Sequence, residues 1–259
     1  MKFGICLLSV VPVRSEPSDT SEMVTQVLFG DLIVINEKIN NWLKIRIVYD
    51  NYEGWVDDKQ IQIIDKDEFN RLNKETSQYS LDLVEVLQDV TNNVLIPVLI
   101  GSCIRNIENN QFSIQGKKFI FSGQLSLPEQ DIFINSVIEN AMLFLNAPYL
   151  WGGKTPFGID CSGFTQTVYK LSGVKLLRDA SQQATQGESI SLIAEAEPGD
   201  LLFFDNNEET ITHVGILIGN QKVIHASGKV RIDKIDHQGI YNEDLKKYTH
   251  NLRLIKRII

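Results

Sequence analysis

Through the first half of the chain the apolar residues fall in short runs separated by turn residues, and at about residue 131 the spacing changes to that of a helix. Runs at 24–29, 31–35, 42–48 and 53–56 read as strands, and their close spacing predicts a small all-β barrel over residues 1–65. Trp42 and Trp55 fit its core or rim. Residues 66–81 are polar and charged, with Phe69 and Leu72 at helical spacing, and read as a linker carrying a short helix. Residues 82–127 return to short β runs at 83–90, 94–99, 112–114 and 118–121, which suggest a second barrel. Residues 128–259 form the last domain. It opens on a helix expected from 131 to about 145, with Val137, Ile138, Ala141, Met142 and Leu145 on its apolar face.

The tightest constraint lies just beyond that helix. Trp151-Gly152-Gly153 and Pro156-Phe157-Gly158 form turns that lead into Asp160-Cys161-Ser162, after which Phe164, Val168 and Leu171 recur at helical spacing. Cys161 is therefore placed at the start of a helix. There the unpaired backbone N–H groups and the positive end of the helix dipole favour a thiolate and offer donors to an oxyanion.

A nucleophile needs a base, and two histidines stand in strand-like runs downstream. Residues 212–219 and 222–228 flank Gly219-Asn220-Gln221, a hairpin signal, so His213 and His225 can meet on adjacent strands. His213 then serves as general base and His225 as the residue that orients it. Taken singly, a helical cysteine is usually a small buried hydrophobe and a strand histidine a satisfied core residue. Their combination with the glycine-rich approach favours catalysis. A zinc site of Cys161, His213 and His225 lacks the paired ligand spacings such sites show, and no metal or cofactor is expected. His237 and His250 have no partner pattern and read as surface residues.

Charge narrows the partners. With a formal net charge of −8 and no basic run, the chain is not built to hold nucleic acid by bulk electrostatics. Cys6, Cys103 and Cys161 are far apart and odd in number, which argues against a disulfide framework and for a reducing, cytoplasmic setting. The apolar N-terminal stretch is interrupted by Gly4 and reads as a strand, and no run approaches the roughly 20 apolar residues of a membrane span.

Tyr149 to Gly153, Asp160 to Phe164, Glu197-Pro198-Gly199-Asp200-Leu201-Leu202-Phe203-Phe204, Thr212 to Ile216 and His225-Ala226-Ser227 together resemble the NlpC/p60 cysteine peptidases of bacterial cell-wall metabolism. Residues 21–31 and 50–56 resemble the SH3-like module found ahead of that catalytic domain. The resemblance implies an α+β chain, with two SH3-like barrels before a papain-like domain, that cleaves γ-D-glutamyl-diamino acid bonds in murein peptides. It implies the dipeptidyl-peptidase VI type, acting on L-Ala-γ-D-Glu-diamino acid with a free N-terminal L-Ala. On this reading Tyr149 lines the oxyanion site or cleft floor. Asp160 and Ser162 stand beside the substrate, and Glu22 and Tyr52 of the first barrel cap the cleft around its ammonium group. The competing expectations are an exported murein endopeptidase that uses its barrels to bind the wall, and a Cys-His amidase or acyltransferase on the same scaffold.

Overall fold

The computed structural model describes residues 2–126, 134–205 and 210–259. The chain divides into two units, Met1–Gln130 and Asp131–Ile259.

In the first unit, β1 (Lys2–Ile5), β2 (Val10–Arg14), β3 (Met23–Leu28), β4 (Leu32–Ile39), β5 (Trp42–Ile47), β6 (Glu53–Asp57) and β7 (Gln62–Ile64) form one antiparallel sheet in the order β3-β2-β6-β5-β4-β1-β7. One core on this sheet is aliphatic, with Val11, Val27, Ile45 and Val56 buried in it. Helix α1 (Lys66–Lys74) begins at Asp65, whose carboxylate accepts from the Glu68 N–H at 2.8 Å. It occupies the stretch expected as a linker, yet Phe69 and Leu72 are buried in a second core, with Phe69 stacked on Phe3 at 4.2 Å.

The strands that follow are β8 (Ser77–Tyr79), β9 (Val84–Asp89), β10 (Val94–Leu99), β11 (Cys103–Arg105), β12 (Gln111–Ile114) and β13 (Lys117–Ile120). They pair as a four-stranded sheet, β10-β9-β13-β12, and a separate β11-β8 ladder. Their apolar side chains share the second core with the first sheet, where Phe29 meets Phe119 and Phe112 edge-on and those two rings stack. The two halves are also joined through the backbone, the Cys103 N–H donating to the Phe29 carbonyl at 2.8 Å. Gly30 has φ +84°, and a Cβ there would lie 1.8 Å from the Cys103 oxygen, so only glycine admits this approach.

The second unit begins, within the described residues, with α2 (Ile134–Met142); the first part of the helix expected from 131 lies outside them. The chain leaves the helix after Met142. Phe144 is therefore buried against Phe164, while Met142 and Leu145, expected on the apolar face, are exposed. The hairpin of β14 (Lys154–Thr155) and β15 (Gly158–Ile159) delivers α3 (Cys161–Leu171), and α4 (Ala180–Gln183) follows. Next come β16 (Glu188–Ile190), β17 (Leu201–Asp205), β18 (Ile211–Gly219), β19 (Lys222–Ser227), β20 (Lys229–Ile235), β21 (Gly239–Asn242) and β22 (Lys247–Arg257). They form an antiparallel sheet in the order β16-β22-β17-β18-β19-β20-β21, and β21 pairs back onto β22 to close a ring. Leu202, Leu217, Val223, Ile235, Ile240 and Ile255, drawn from all the strands of that ring, form one core. Helix α3 packs against β18 and β19.

The β18–β19 turn has Asn220 at φ 50° and Gln221 at φ 54°, the paired left-handed residues of a type I′ hairpin. That turn, together with the bulge between Leu217 and Gly219, sets the register on which the site depends.

Candidate active site

Register places the histidines. On β18 and β19 Gly215 is paired with His225, and on β19 and β20 His225 is paired with Arg231. His213 lies two residues before Gly215 and Asp233 two residues after Arg231, so His213, His225 and Asp233 step diagonally across one face of the sheet. Leu217 and Val223 of the ring's core share that face. Gly215 opens the diagonal: a Cβ there would lie 2.6 Å from Val223 Cγ2 and 3.0 Å from His225 Cβ.

The three side chains form a continuous row. His213 Nε2 lies 2.8 Å from His225 Nδ1, and His225 Nε2 lies 3.0 Å from Asp233 Oδ2. These contacts assign the tautomers. A carboxylate only accepts, so His225 carries its proton on Nε2. Its Nδ1 is then an acceptor and receives the N–H of His213 Nε2. The Nδ1 of neutral His213 is left with a lone pair, the form a proton acceptor needs. These rings bond to each other rather than converging their nitrogens on a common point, as metal ligands would.

Asp233 was not anticipated. It is 6% exposed, and Arg231 flanks it, with Nη2 2.8 Å from Oδ1 and Nε 2.7 Å from Oδ2. Burial raises its pKa, but the hydrogen bonds from His225 and Arg231 outweigh that and hold it below the usual carboxylate range. Burial pushes His213 well below its ordinary value, and the neighbouring His225 and His250 push it the same way. His225 is lowered mainly by burial, against the pull of Asp233. At neutral pH the row therefore carries one negative charge, at Asp233. His250 is no bare surface residue: it stacks on His213 with ring centres 4.3 Å apart, whereas His237 is exposed.

At the other end stands Cys161, the first residue of α3. It is 7% exposed, and the backbone N–H groups of Val214 and Ser162 both point at its sulfur. Val214 is the neighbour of His213, so the thiol meets the sheet at the start of the histidine row. The expectation that the helix terminus makes this thiol a thiolate is not met. Burial pushes its pKa up to about 12, the Asp160 charge adds to the rise, and the two N–H groups with Arg178 only partly offset it. With the thiol raised and the imidazole lowered, the resting pair is neutral. Tyr149 is half-buried near this sulfur; burial and the charges of Cys161 and Asp160 raise its phenol to about 12, so it keeps its proton and can donate.

Asp160 and Ser162, expected at the substrate, are engaged within the protein instead. Asp160 caps α3, Oδ1 accepting from the Gly163 N–H at 2.6 Å, and Oδ2 accepts from the Gly152 N–H at 2.8 Å. Arg178 completes the cage with Nη1 3.0 Å from Oδ1 and Nη2 2.5 Å from Oδ2, and Nη1 also donates to Ser162 Oγ at 3.0 Å. These donors fill the carboxylate's acceptor sites and compensate its charge. Arg178 is itself 1% exposed, and its sequence neighbours, Lys175 and Asp179 among them, gave no signal of its role. Glu22 and Tyr52 lie in the first unit, Glu22 exposed just before β3 and Tyr52 half-buried just before β6.

Residues 146–249 match the NlpC/P60 family, and residues 13–61 match the bacterial dipeptidyl-peptidase SH3 domain. The chain thus carries an NlpC/P60 cysteine peptidase domain with a bacterial SH3 domain ahead of it. Among its relatives is dipeptidyl-peptidase 6 of Lysinibacillus sphaericus, 28% identical over 93% of this chain and 95% of that protein. Another is the γ-D-glutamyl-L-lysine dipeptidyl-peptidase of Bacillus subtilis, 28% identical over 78% of this chain and 71% of its own length. The crystal structure of an NlpC/P60 family protein from Bacillus cereus superposes with a TM-score of 0.82 at 20% identity, covering 99% of both chains, and shares the fold.

Proposed function

We propose that the chain hydrolyses the γ-D-glutamyl-diamino acid bond of murein peptides, with Cys161 as nucleophile, His213 as general base and His225 as orienting residue. The observation that carries this reading is the row from His213 through His225 to Asp233, which begins one residue from the backbone N–H aimed at the Cys161 sulfur. The thiol attacks the γ-carbonyl carbon as its proton passes to His213 Nδ1. His213 is then an imidazolium whose Nε2–H still donates to His225, and Asp233 stabilises that charge through His225. His213 returns the proton to the departing amine of the diamino acid, leaving a thioester on Cys161. Water, activated by the same imidazole, releases the glutamyl peptide and restores the thiol. Tyr149 and the backbone N–H of Cys161 are assigned to the carbonyl oxygen as it becomes negative.

The dipeptidyl-peptidase names of the relatives support a substrate with a free N-terminal L-Ala. Glu22 and Tyr52, which the family resemblance puts forward for that ammonium, are the residues to test. Residues 82–127 we read as a second SH3-like unit built on the core of the first, a reading supported by the antiparallel sheet β10-β9-β13-β12. The three free cysteines suit a reducing cytoplasm. The experiment is cleavage of L-Ala-γ-D-Glu-L-Lys and its N-acetylated form by the wild type and by Glu22→Ala, with products identified by mass. Release of L-Ala-γ-D-Glu from the free peptide, about 100-fold or more loss on acetylation, and a smaller preference in Glu22→Ala are expected. Equal rates on both peptides would mean an endopeptidase with wall-binding SH3 domains.

A further inference from the structure

A single hydrogen bond does not fix a base. The torsion that turns an imidazole about its Cβ–Cγ bond is broad, so His213 could keep its contact to His225 and still rock, carrying Nδ1 away from the thiol. Something must hold the plane of the ring.

We propose that His250 is that positioning residue. Its imidazole lies on His213 with centres 4.3 Å apart and an interplanar angle of 28°, while it meets His225 at 5.6 Å and 82°. Phe204 approaches both stacked rings, at 5.7 Å from His213 and 5.9 Å from His250. The general base is thereby gripped on its edge by His225, across its face by His250 and on a further side by Phe204.

His250 is itself firmly placed. It sits on β22 opposite Ile240, and Thr249 Oγ1 lies 2.9 Å from its Nδ1. Gly239 presses on its backbone, at φ +140° and with room for no Cβ, since one would lie 1.9 Å from the His250 oxygen. The ring is half-buried, and burial together with the adjacent His225 lowers its pKa to about 4. At working pH it is thus a neutral aromatic face. Such a face attracts the positive charge that His213 acquires in the reaction.

This inference rests on His213 being the base, and the test separates the two. What the stack requires is a flat ring, so His250→Ala should remove it and His250→Phe should restore it. With L-Ala-γ-D-Glu-L-Lys as substrate, His250→Ala is expected to lose kcat about five- to tenfold with KM within about twofold, and His250→Phe to recover most of that loss. The rate at which iodoacetamide labels Cys161, followed by peptide mapping, needs no peptide substrate and should show the same order. Thermal unfolding of both variants is measured alongside, so that activity is compared only at temperatures where each is folded. Wild-type kcat and labelling in His250→Ala would overturn the proposal, as would a Phe variant as impaired as the Ala variant. A wild type that fails to cleave the tripeptide while labelling keeps the predicted order would overturn the substrate reading and leave this one standing.

Discussion

Asp160 and Asp233 are both 6% exposed, both within the catalytic unit and both paired with an arginine, yet they do different work. Asp160 is bound by two backbone N–H groups and the Arg178 fork, donors whose protonation never changes during turnover. It ties the Trp151-Gly152-Gly153 turn to the start of α3 and so sets where the sulfur stands. Asp233 has an imidazole as its other partner, and that imidazole leads to a second one. A buried carboxylate becomes scaffold or relay according to whether its partners can change protonation state.

The largest effect that separates them should come from Asp233→Asn. Arg231 Nη2 donates to one oxygen and His225 faces the other, so an amide that keeps its oxygen on Arg231 Nη2 turns its NH2 group toward His225 Nε2. His225 must then carry its proton on Nδ1, and His213 in turn on Nδ1, the atom that has to accept. A loss in kcat of about 10³- to 10⁴-fold with little change in melting temperature is expected, as for other wrong-tautomer variants. Retention of kcat within about tenfold would remove Asp233 from the relay.

Asp160→Ala should show the opposite signature. It strands the Arg178 guanidinium in the interior, a change that costs about 3–5 kcal/mol. Urea unfolding of the second unit measures it, and a variant that is as stable as wild type but inactive would return Asp160 to the substrate.

How much of this the sequence displayed follows from the range over which each contact forms. Cys161, His213 and His225 were legible because an N-cap, a helical repeat and a two-residue turn are local features. The Asp160–Arg178 cage was not, since α3 and a loop separate the partners, and Asp233 depended on how β20 pairs after Gly228. His250 joins the site only because β22 returns to close the ring. The thiolate expectation failed because helix-terminal donors can be read from spacing, whereas burial cannot. In the first unit, the α1 stretch looked like a linker because its polar residues outnumber Phe69 and Leu72, the two that enter the core.

Acid should unsettle the relay side. Burial lowers His213, His225 and His250, the last to about 4 from an ordinary 6.5. Unfolded chains take up these protons near pH 6.5 and the folded protein does not, so stability is full above that value and declines as pH falls toward 4. Unfolding midpoints at pH 7 and pH 5 should differ in that direction in the wild type, and by less in His250→Phe; identical midpoints would mean the rings are not held neutral.

A smaller change tests the diagonal itself. In Gly215→Ala the new methyl group meets Val223 and His225, and overpacking of this kind costs about 1–3 kcal/mol. Because it pushes His225 away from His213, kcat should fall while KM holds; a loss of stability with kcat intact would mean the row tolerates the shift.

The central claim is that one sulfur performs the chemistry, and the direct measurement is release of L-Lys from L-Ala-γ-D-Glu-L-Lys by Cys161→Ala, with its circular dichroism and unfolding midpoint recorded beside the wild type. A folded variant whose turnover has fallen by about 10⁴-fold or more is the expected result. A folded Cys161→Ala protein that still releases L-Lys within about tenfold of the wild-type rate would contradict the account.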